Sequence, residues 1–408
     1  MASTPEQSRP RRRRGRWLAV VLSVVVVLVV VLLGGGGFYY AGQIESEALA
    51  VRHPEPLYEE LVVDSSTDGQ VVLHRTGGDV TPDPLRTDGV YGLVWAGGRG
   101  VISGPPTPGV GGRITRVLQV TAGTAPAAGT RAGLDRDVWT DPRAAYGAAF
   151  QDVTYPCAGG SCPAWFVPGT GTTWMVLVHG KNSTRTEPLR ALSAALRAGL
   201  PALDIAYRND VGAPADPSGR HQYGATEWRD LEQAVDYATT HGAQHVVLFG
   251  ASMGGSIVAS FLQHSRSASL VRGVILDAPA LDLRSAVEFG ASQRRLPLLG
   301  SPIPGVLTAT AEWIAGRRYS LDWNRIDYLR GDWLDVPALV FQGTLDDTVP
   351  AATSDRFAAA HPGLVSEVRV PGASHVESWN VDPAAYEARE AAFLGCVTAA
   401  EASSCAAG

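Results

Sequence analysis

The sequence predicts a doubly wound α/β fold with a mostly parallel sheet, and three observations predict it. From about Asp152 onward, apolar strand-like runs alternate with helical stretches. Four of the six runs end in residues able to bind or react, as expected where ligands collect beyond the carboxyl ends of parallel strands. One run, HVVLF, leads straight into Gly250-Ala251-Ser252-Met253-Gly254 and then a helical stretch, which places a G-x-S-x-G sequence at a strand-to-helix turn.

The runs read as strands are TWMVLVHG, ALDIAYRND, HVVLFGAS, GVILDAPA, ALVFQGTLDD and SEVRVPGASH. Helices are expected between them over 186–199, 225–240, 254–265 and 353–361. Prolines and tryptophans interrupt the alternation over about 283–335 (Pro297, Pro302, Pro304, Trp313, Trp323, Trp333), so a cap insertion is expected there. Upstream, 61–150 holds short β-type runs between glycine and proline clusters, and 41–60 reads as a stalk broken by Pro54 and Pro56. The resulting division is a basic tail (1–16), an apolar segment (17–40), a stalk with a β-rich accessory module (41–150), the α/β domain (151–395) and a tail (396–408). The accessory module reads either as packing that covers a sheet edge or as a recognition element.

The 408 residues carry a formal net charge of −6, but the charge is divided unevenly. Residues 1–33 hold six arginines and one acid, Glu6, whereas the remainder holds 28 basic and 39 acidic residues. An acidic body disfavours nucleic acid as a partner, because binding a phosphate backbone needs a basic face. The arginines precede an uncharged run over 17–33, extended by Gly34 to Gly37 and by Phe38, Tyr39 and Tyr40, long enough to cross about 30 Å of hydrocarbon. The arginines hold that end in the cytoplasm, so a single-pass anchor with an extracytoplasmic body is expected. A cleaved signal peptide is the competing reading, with small residues over 41–50 near a possible cut. Four cysteines form two local pairs, Cys157 with Cys162 and Cys396 with Cys405, suited to disulfides in an oxidising compartment.

A serine hydroxyl is a poor nucleophile until a positioned base takes its proton and a carboxylate orients that base. The chain supplies the order serine, acid, histidine. Asp346 follows the strand ALVFQ in GTLDDTVP, and His375 follows SEVRV in PGASHVESW. Of the adjacent Asp346 and Asp347, the register to Gly343 and to Val349-Pro350 selects Asp346. His53, His74, His221, His241, His245, His264 and His361 lack such a setting and read as surface or helix-end residues. Oxyanion donors are expected from the main chain of Met253, and from Lys181 in His179-Gly180-Lys181-Asn182. His179 itself reads as a loop-shaping residue, with a second base as the alternative. Arg208 reads as a salt bridge to Glu227 or Asp230, or else as a ligand for a substrate anion. Glu227-Trp228-Arg229 is expected to lock its helix to the Tyr207 loop, and the cap tryptophans read as core or as an apolar pocket. The chemistry calls for no metal or other cofactor.

The assembly VHGKNSTRTEPLR, AYRND, GATEWRDLEQAVDYA, GASMGG, LDAPALD, FQGTLDDTVP and GASHVESWNVDP resembles the α/β-hydrolase superfamily. In particular it is similar to membrane-anchored or secreted actinobacterial hydrolases of unassigned substrate. The resemblance covers about residues 150 to 395 and implies a Ser252, Asp346, His375 triad acting on a small-molecule ester or related acyl bond. Lys181 is a departure at a variable position, which main-chain donation would survive. A peptidase or acyltransferase on the same triad, and a non-catalytic binding protein on the same scaffold, are the competing functions. The oligomeric state is not legible.

Overall fold

The computed structural model describes residues 11–53, 59–78, 80–296, 300–399 and 405. Most of the basic tail, Pro54, Pro56, Pro297 and most of the C-terminal tail lie outside those residues. The chain divides into two compact units, one of residues 1–49 with 291–322, the other of 50–290 with 323–408.

In the first unit, helix α1 (Arg11–Ile44) continues into a π-helical turn, Glu45–Leu49. Its apolar stretch is long enough to cross a membrane. The first part of the expected stalk is helical, and its Ala41, Ile44 and Leu49 are buried. The same unit holds much of the segment expected as a cap.

The second unit begins with six antiparallel strands that close on themselves: β1 (Leu61–Thr67), β2 (Gln70–Arg75), β3 (Tyr91–Trp95), β4 (Gly98–Pro108), β5 (Ile114–Gly123) and β6 (Arg131–Asp135). They follow the order β1-β2-β5-β4-β3-β6, and β1 pairs β6 at Leu61 opposite Ala132 to complete the barrel. Alternation explains the closure, because Leu61, Val63, Val71, Leu73, Leu93 and Trp95 all turn inward and form a core of their own. Closure leaves no free sheet edge in a module too small for two packed layers.

Eight further strands form one sheet in the order β14-β13-β12-β11-β9-β10-β8-β7. They are β7 (Gln151–Cys157), β8 (Gly160–Val167), β9 (Thr173–Val178), β10 (Ala202–Ile205), β11 (His245–Ala251), β12 (Val271–Asp277), β13 (Ala338–Gly343) and β14 (Val365–Val370). The six expected strands are β9 to β14, all parallel. The antiparallel hairpin β7–β8 was not expected. Its strands carry prolines and a CAGGSC turn that disguise the alternation, and the Cys157–Cys162 disulfide ties that turn. A second disulfide joins Cys396 to Cys405. Strands β9 to β12 are buried almost throughout, as a sheet covered on both faces requires.

The helices, in chain order after α1, are α2 (Pro142–Tyr146), α3 (Leu189–Arg197), α4 (Trp228–Thr240), α5 (Met253–His264), α6 (Leu283–Gln293), α7 (Gly305–Tyr319), α8 (Ala351–Ala360), α9 (Ser378–Val381) and α10 (Pro383–Val397). Four of them, α3, α4, α5 and α8, occupy the expected places. This strand order, with the antiparallel pair at one edge, is the α/β-hydrolase fold. The chain leaves β9 toward β10 and returns to β11 on the other side, so the crevice beyond the ends of β9 and β11 is the topological switch point.

Candidate active site

Ser252 stands at that switch point, between the last residue of β11 and the first of α5. Its backbone has φ 49° and ψ −115°, a conformation that costs an L-residue strain and persists only when its surroundings enforce it. The enforcement is close packing: the Ser252 amide donates to the Asp277 carbonyl at 2.9 Å, and a Cβ at Gly254 would run into the carbonyls of Val178 and His179. The turn aims the hydroxyl outward at the N-terminus of a 12-residue helix, where developing negative charge is favoured.

Ser252 Oγ lies 2.8 Å from His375 Nε2, and His375 Nδ1 lies 2.9 Å from Asp346 Oδ2. Three side chains from three loops thus form one hydrogen-bonded line. Asp346 is fixed in it from three sides. Its Oδ1 accepts from the amides of Thr348 and Val349 at 2.9 and 2.8 Å, and its Oδ2 also accepts from Gln342 Nε2 at 3.0 Å. Asp347 points elsewhere and accepts from its neighbour Thr348.

The turn after β9 runs beside the serine, and a Cβ on Gly180 would come within 3.1 Å of Ser252 Cβ. Gly180's amide donates to buried Glu187 at 2.6 Å and so is engaged away from the crevice. His179 is wholly buried and meets acceptors at both ring nitrogens, the Gly180 carbonyl at 2.8 Å and Asp210 at 2.9 Å. Although burial pulls its pKa down, Asp210, the Gly180 carbonyl and Glu187 raise it to about 9. An imidazolium donating from both nitrogens shapes this loop, as the loop-shaping reading of His179 expected, and leaves no base there.

Sequence reasoning missed the brace behind these loops. Glu187 is buried beside Arg136 at 3.2 Å, and Arg136 also reaches the His375 carbonyl at 3.5 Å. Burial pushes the Glu187 carboxyl up, but Arg136, Arg190 and the Gly180 amide hold it below its ordinary value. Arg190, on α3, donates to the carbonyls of Glu187 and Val376 and to Asn380 Oδ1. Asn380 then bonds back to the Val90 and Arg136 carbonyls at 2.8 and 2.9 Å, while Val90 donates its amide to Asn380. Residues at the edge of the barrel therefore hold the segment that carries His375. The available signal was a charged pair, Glu187 and Arg190, three residues apart at the start of the helical stretch.

Other expectations fare differently. Arg208 makes the expected salt bridge, with Asp230 at 2.6 Å of the two acids named, and adds Asp216 at 3.3 Å; with its guanidinium buried between these carboxylates it is not placed to bind a substrate anion. Glu227 does not lock the Tyr207 loop; it accepts the amides of Gln222 and Gly224, while Asp230 accepts the amide of Arg208 beside Tyr207. His221 is not a surface residue: it is 2% exposed, and burial, with Lys181 nearby, lowers its pKa to about 3. As a neutral ring it donates to Asn182 Oδ1 at 2.9 Å and steadies the turn after β9. Trp333 stacks on Phe357 and Trp323 is buried, so these two serve as core rather than as a pocket.

Comparison with known proteins gives three kinds of similarity. A family model described as serine aminopeptidase, S33, matches residues 218–327, a segment that contains Ser252 but neither Asp346 nor His375. An uncharacterised protein of Mycobacterium tuberculosis, present in two strains, is 29% identical over 219 residues, 52% of this chain. The match spans 66% of that relative, just under two thirds of its length. Among solved structures, an esterase of Pyrococcus furiosus is 18% identical over 63% of this chain and 94% of its own, with a TM-score of 0.47. An esterase of Pyrobaculum calidifontis is 19% identical over 61% of this chain and 84% of its own, with a TM-score of 0.45.

Proposed function

We propose that the chain is a serine hydrolase of the α/β-hydrolase superfamily, cleaving carboxylic esters through an acyl-enzyme, a reading supported by the family model matched over residues 218–327. The observation that carries this reading is the unbroken line Ser252, His375, Asp346. His375 Nε2 takes the hydroxyl proton as Ser252 Oγ attacks the carbonyl carbon, and Asp346 steadies the imidazolium. The amides of Met253 and Lys181 receive the oxyanion. Collapse expels the alcohol, which leaves with the proton from His375. Water, deprotonated by the same ring, then releases the acid and restores the serine.

The expected result is that a fluorophosphonate probe labels the wild-type chain and that Ser252→Ala abolishes labelling. A wild type that stays unlabelled would favour a binding protein on a hydrolase scaffold. The description of the matched family model favours one second reading, a peptidase on the same residues. Release of free amine from aminoacyl arylamides faster than hydrolysis of p-nitrophenyl esters would replace the esterase reading with it.

The apolar helix α1 supports a retained single-pass anchor with the body outside the cytoplasm. Ala41, Ile44 and Leu49 lie buried in the stretch where a signal peptidase would cut. N-terminal sequencing of membrane-extracted protein tests this, and a mature start between residues 41 and 51 would overturn it.

A further inference from the structure

Between the barrel and the loops beyond the parallel sheet lies a cleft of about 820 Å³, bounded by His375 and Ser374 on one side and by Arg75, Val94 and Arg99 on the other. We propose that this cleft takes the leaving half of the ester, and that this half is a polar alcohol, neutral or positively charged. The proposal rests on the serine-hydrolase reading and adds to it the side on which the alcohol lies and its chemistry.

The side follows from the proton. In that reaction the carbonyl carbon–oxygen bond breaks as His375 gives its Nε2 proton to the departing oxygen, so the alcohol must lie against His375. His375 lines the cleft, whereas Ser252, Met253 and Lys181 are not among its lining residues. The acyl half, held over the serine and its oxyanion amides, therefore lies elsewhere.

The chemistry follows from the walls. The lining includes three guanidiniums, Arg75, Arg99 and Arg136, against the carboxylates of Glu60, Asp135, Asp137, Asp347 and Glu377. Each guanidinium already has a carboxylate partner: Arg75 with Asp83 at 2.6 Å, Arg99 with Asp135 at 2.7 Å and Arg136 with Glu187 at 3.2 Å. An anionic alcohol would meet excess negative charge with every arginine engaged, whereas a neutral or cationic one would not. A purely fatty group is less well served than a polar one: Val80, Pro82, Pro84, Val94 and Leu134 give the walls apolar stretches, but hydroxyls of Thr81, Thr184, Thr348 and Ser374 are interspersed with them, and Tyr91 is 1% exposed. Such walls reward hydrogen-bonding groups and leave polar atoms unpaired against an alkyl chain.

The test uses the purified full chain and acetate esters of three alcohols: glucose, choline and lactate. Wild type is expected to show kcat/KM at least tenfold higher for the glucose and choline esters than for the lactate ester. Val94→Trp, which fills the cleft, should lower kcat/KM for glucose acetate relative to p-nitrophenyl acetate at least tenfold. It should leave the profile along p-nitrophenyl acetate to octanoate unchanged in shape. Val117→Trp, on an exposed position of the barrel, is the control and should alter neither ratio. Equal or faster hydrolysis of lactate acetate, or a Val94→Trp variant that shifts the acyl-length profile instead, would overturn the proposal. If that variant does not fold, the wild-type alcohol series still decides. Fluorophosphonate labelling separates the two levels: a labelled enzyme indifferent to the alcohol sinks the cleft, and an unlabelled one sinks the serine-hydrolase reading beneath it.

Discussion

The barrel and the parallel sheet each bury an arginine that gathers main-chain carbonyls, and the two arginines differ in what they hold. In the barrel, Arg116 is 1% exposed and donates to the carbonyls of Leu85, Thr87 and Gly89 at 3.1, 3.1 and 2.7 Å. It has no carboxylate partner among the described ion pairs, and burial lowers its pKa. In the α/β portion, Arg190 gathers the carbonyls of Glu187 and Val376, with Asp137 at 3.5 Å. Arg116 ties down a loop of the barrel, whereas Arg190 ties together the two loops that flank Ser252. The same chemistry thus serves folding in one region and site geometry in the other.

This contrast can be broken or sharpened by four measurements, from the largest expected effect downward. Asp346→Asn should leave the fold intact and lower kcat by about 10⁴-fold, because an asparagine favours the wrong imidazole tautomer. An unchanged kcat on any cleaved ester would remove Asp346 from the proposed line. Arg190→Met strips a buried cation from Glu187 and Asp137, and denaturant titration should show a loss of about 3–5 kcal/mol. It should also lower kcat in whatever fraction remains folded, which the number of sites titrated by fluorophosphonate reports. Arg116→Met should cost stability on a smaller scale, about 1–3 kcal/mol for carbonyls left unpaired, with kcat per titrated site unchanged. A kcat loss as large as that of Arg190→Met would erase the distinction between the two arginines.

The smallest effect concerns pH. His179, raised to about 9, binds a proton more tightly folded than unfolded, so its stabilisation is complete below about pH 6.5 and is lost as pH rises toward 9. His179→Asn should flatten this part of the stability profile in urea titrations at pH 6.5 and 9. A variant that keeps the wild-type slope would assign it to another group.

Legibility followed the distance over which each interaction acts. Six of the eight strands in the large sheet were readable, because a strand covered on both faces must be an apolar run. The hairpin β7–β8 was not, since its prolines and its disulfide-tied turn broke the alternation. The hydrogen-bonded meeting of Ser252, His375 and Asp346 was legible because each follows a recognisable strand, and register pointed to Asp346 rather than Asp347 as the carboxylate beside His375. Glu227 and Asp230 were not separable from sequence, since both face the same crowded loops and only packing decides which one Arg208 meets.

By itself, then, the sequence determined what local periodicity and turn chemistry can encode: the parallel strands, the serine at a forced turn, the aspartate and histidine each placed just past a strand, and an apolar helix at the N-terminus. Tertiary structure alone decided that six short strands would close into a barrel, that Glu187, Arg136 and Arg190 would meet, and that Val90 would bond to Asn380 from 290 residues away. A buried charge or an amide finds its partner through the fold, and neither its own neighbours nor its residue type says which distant group will satisfy it.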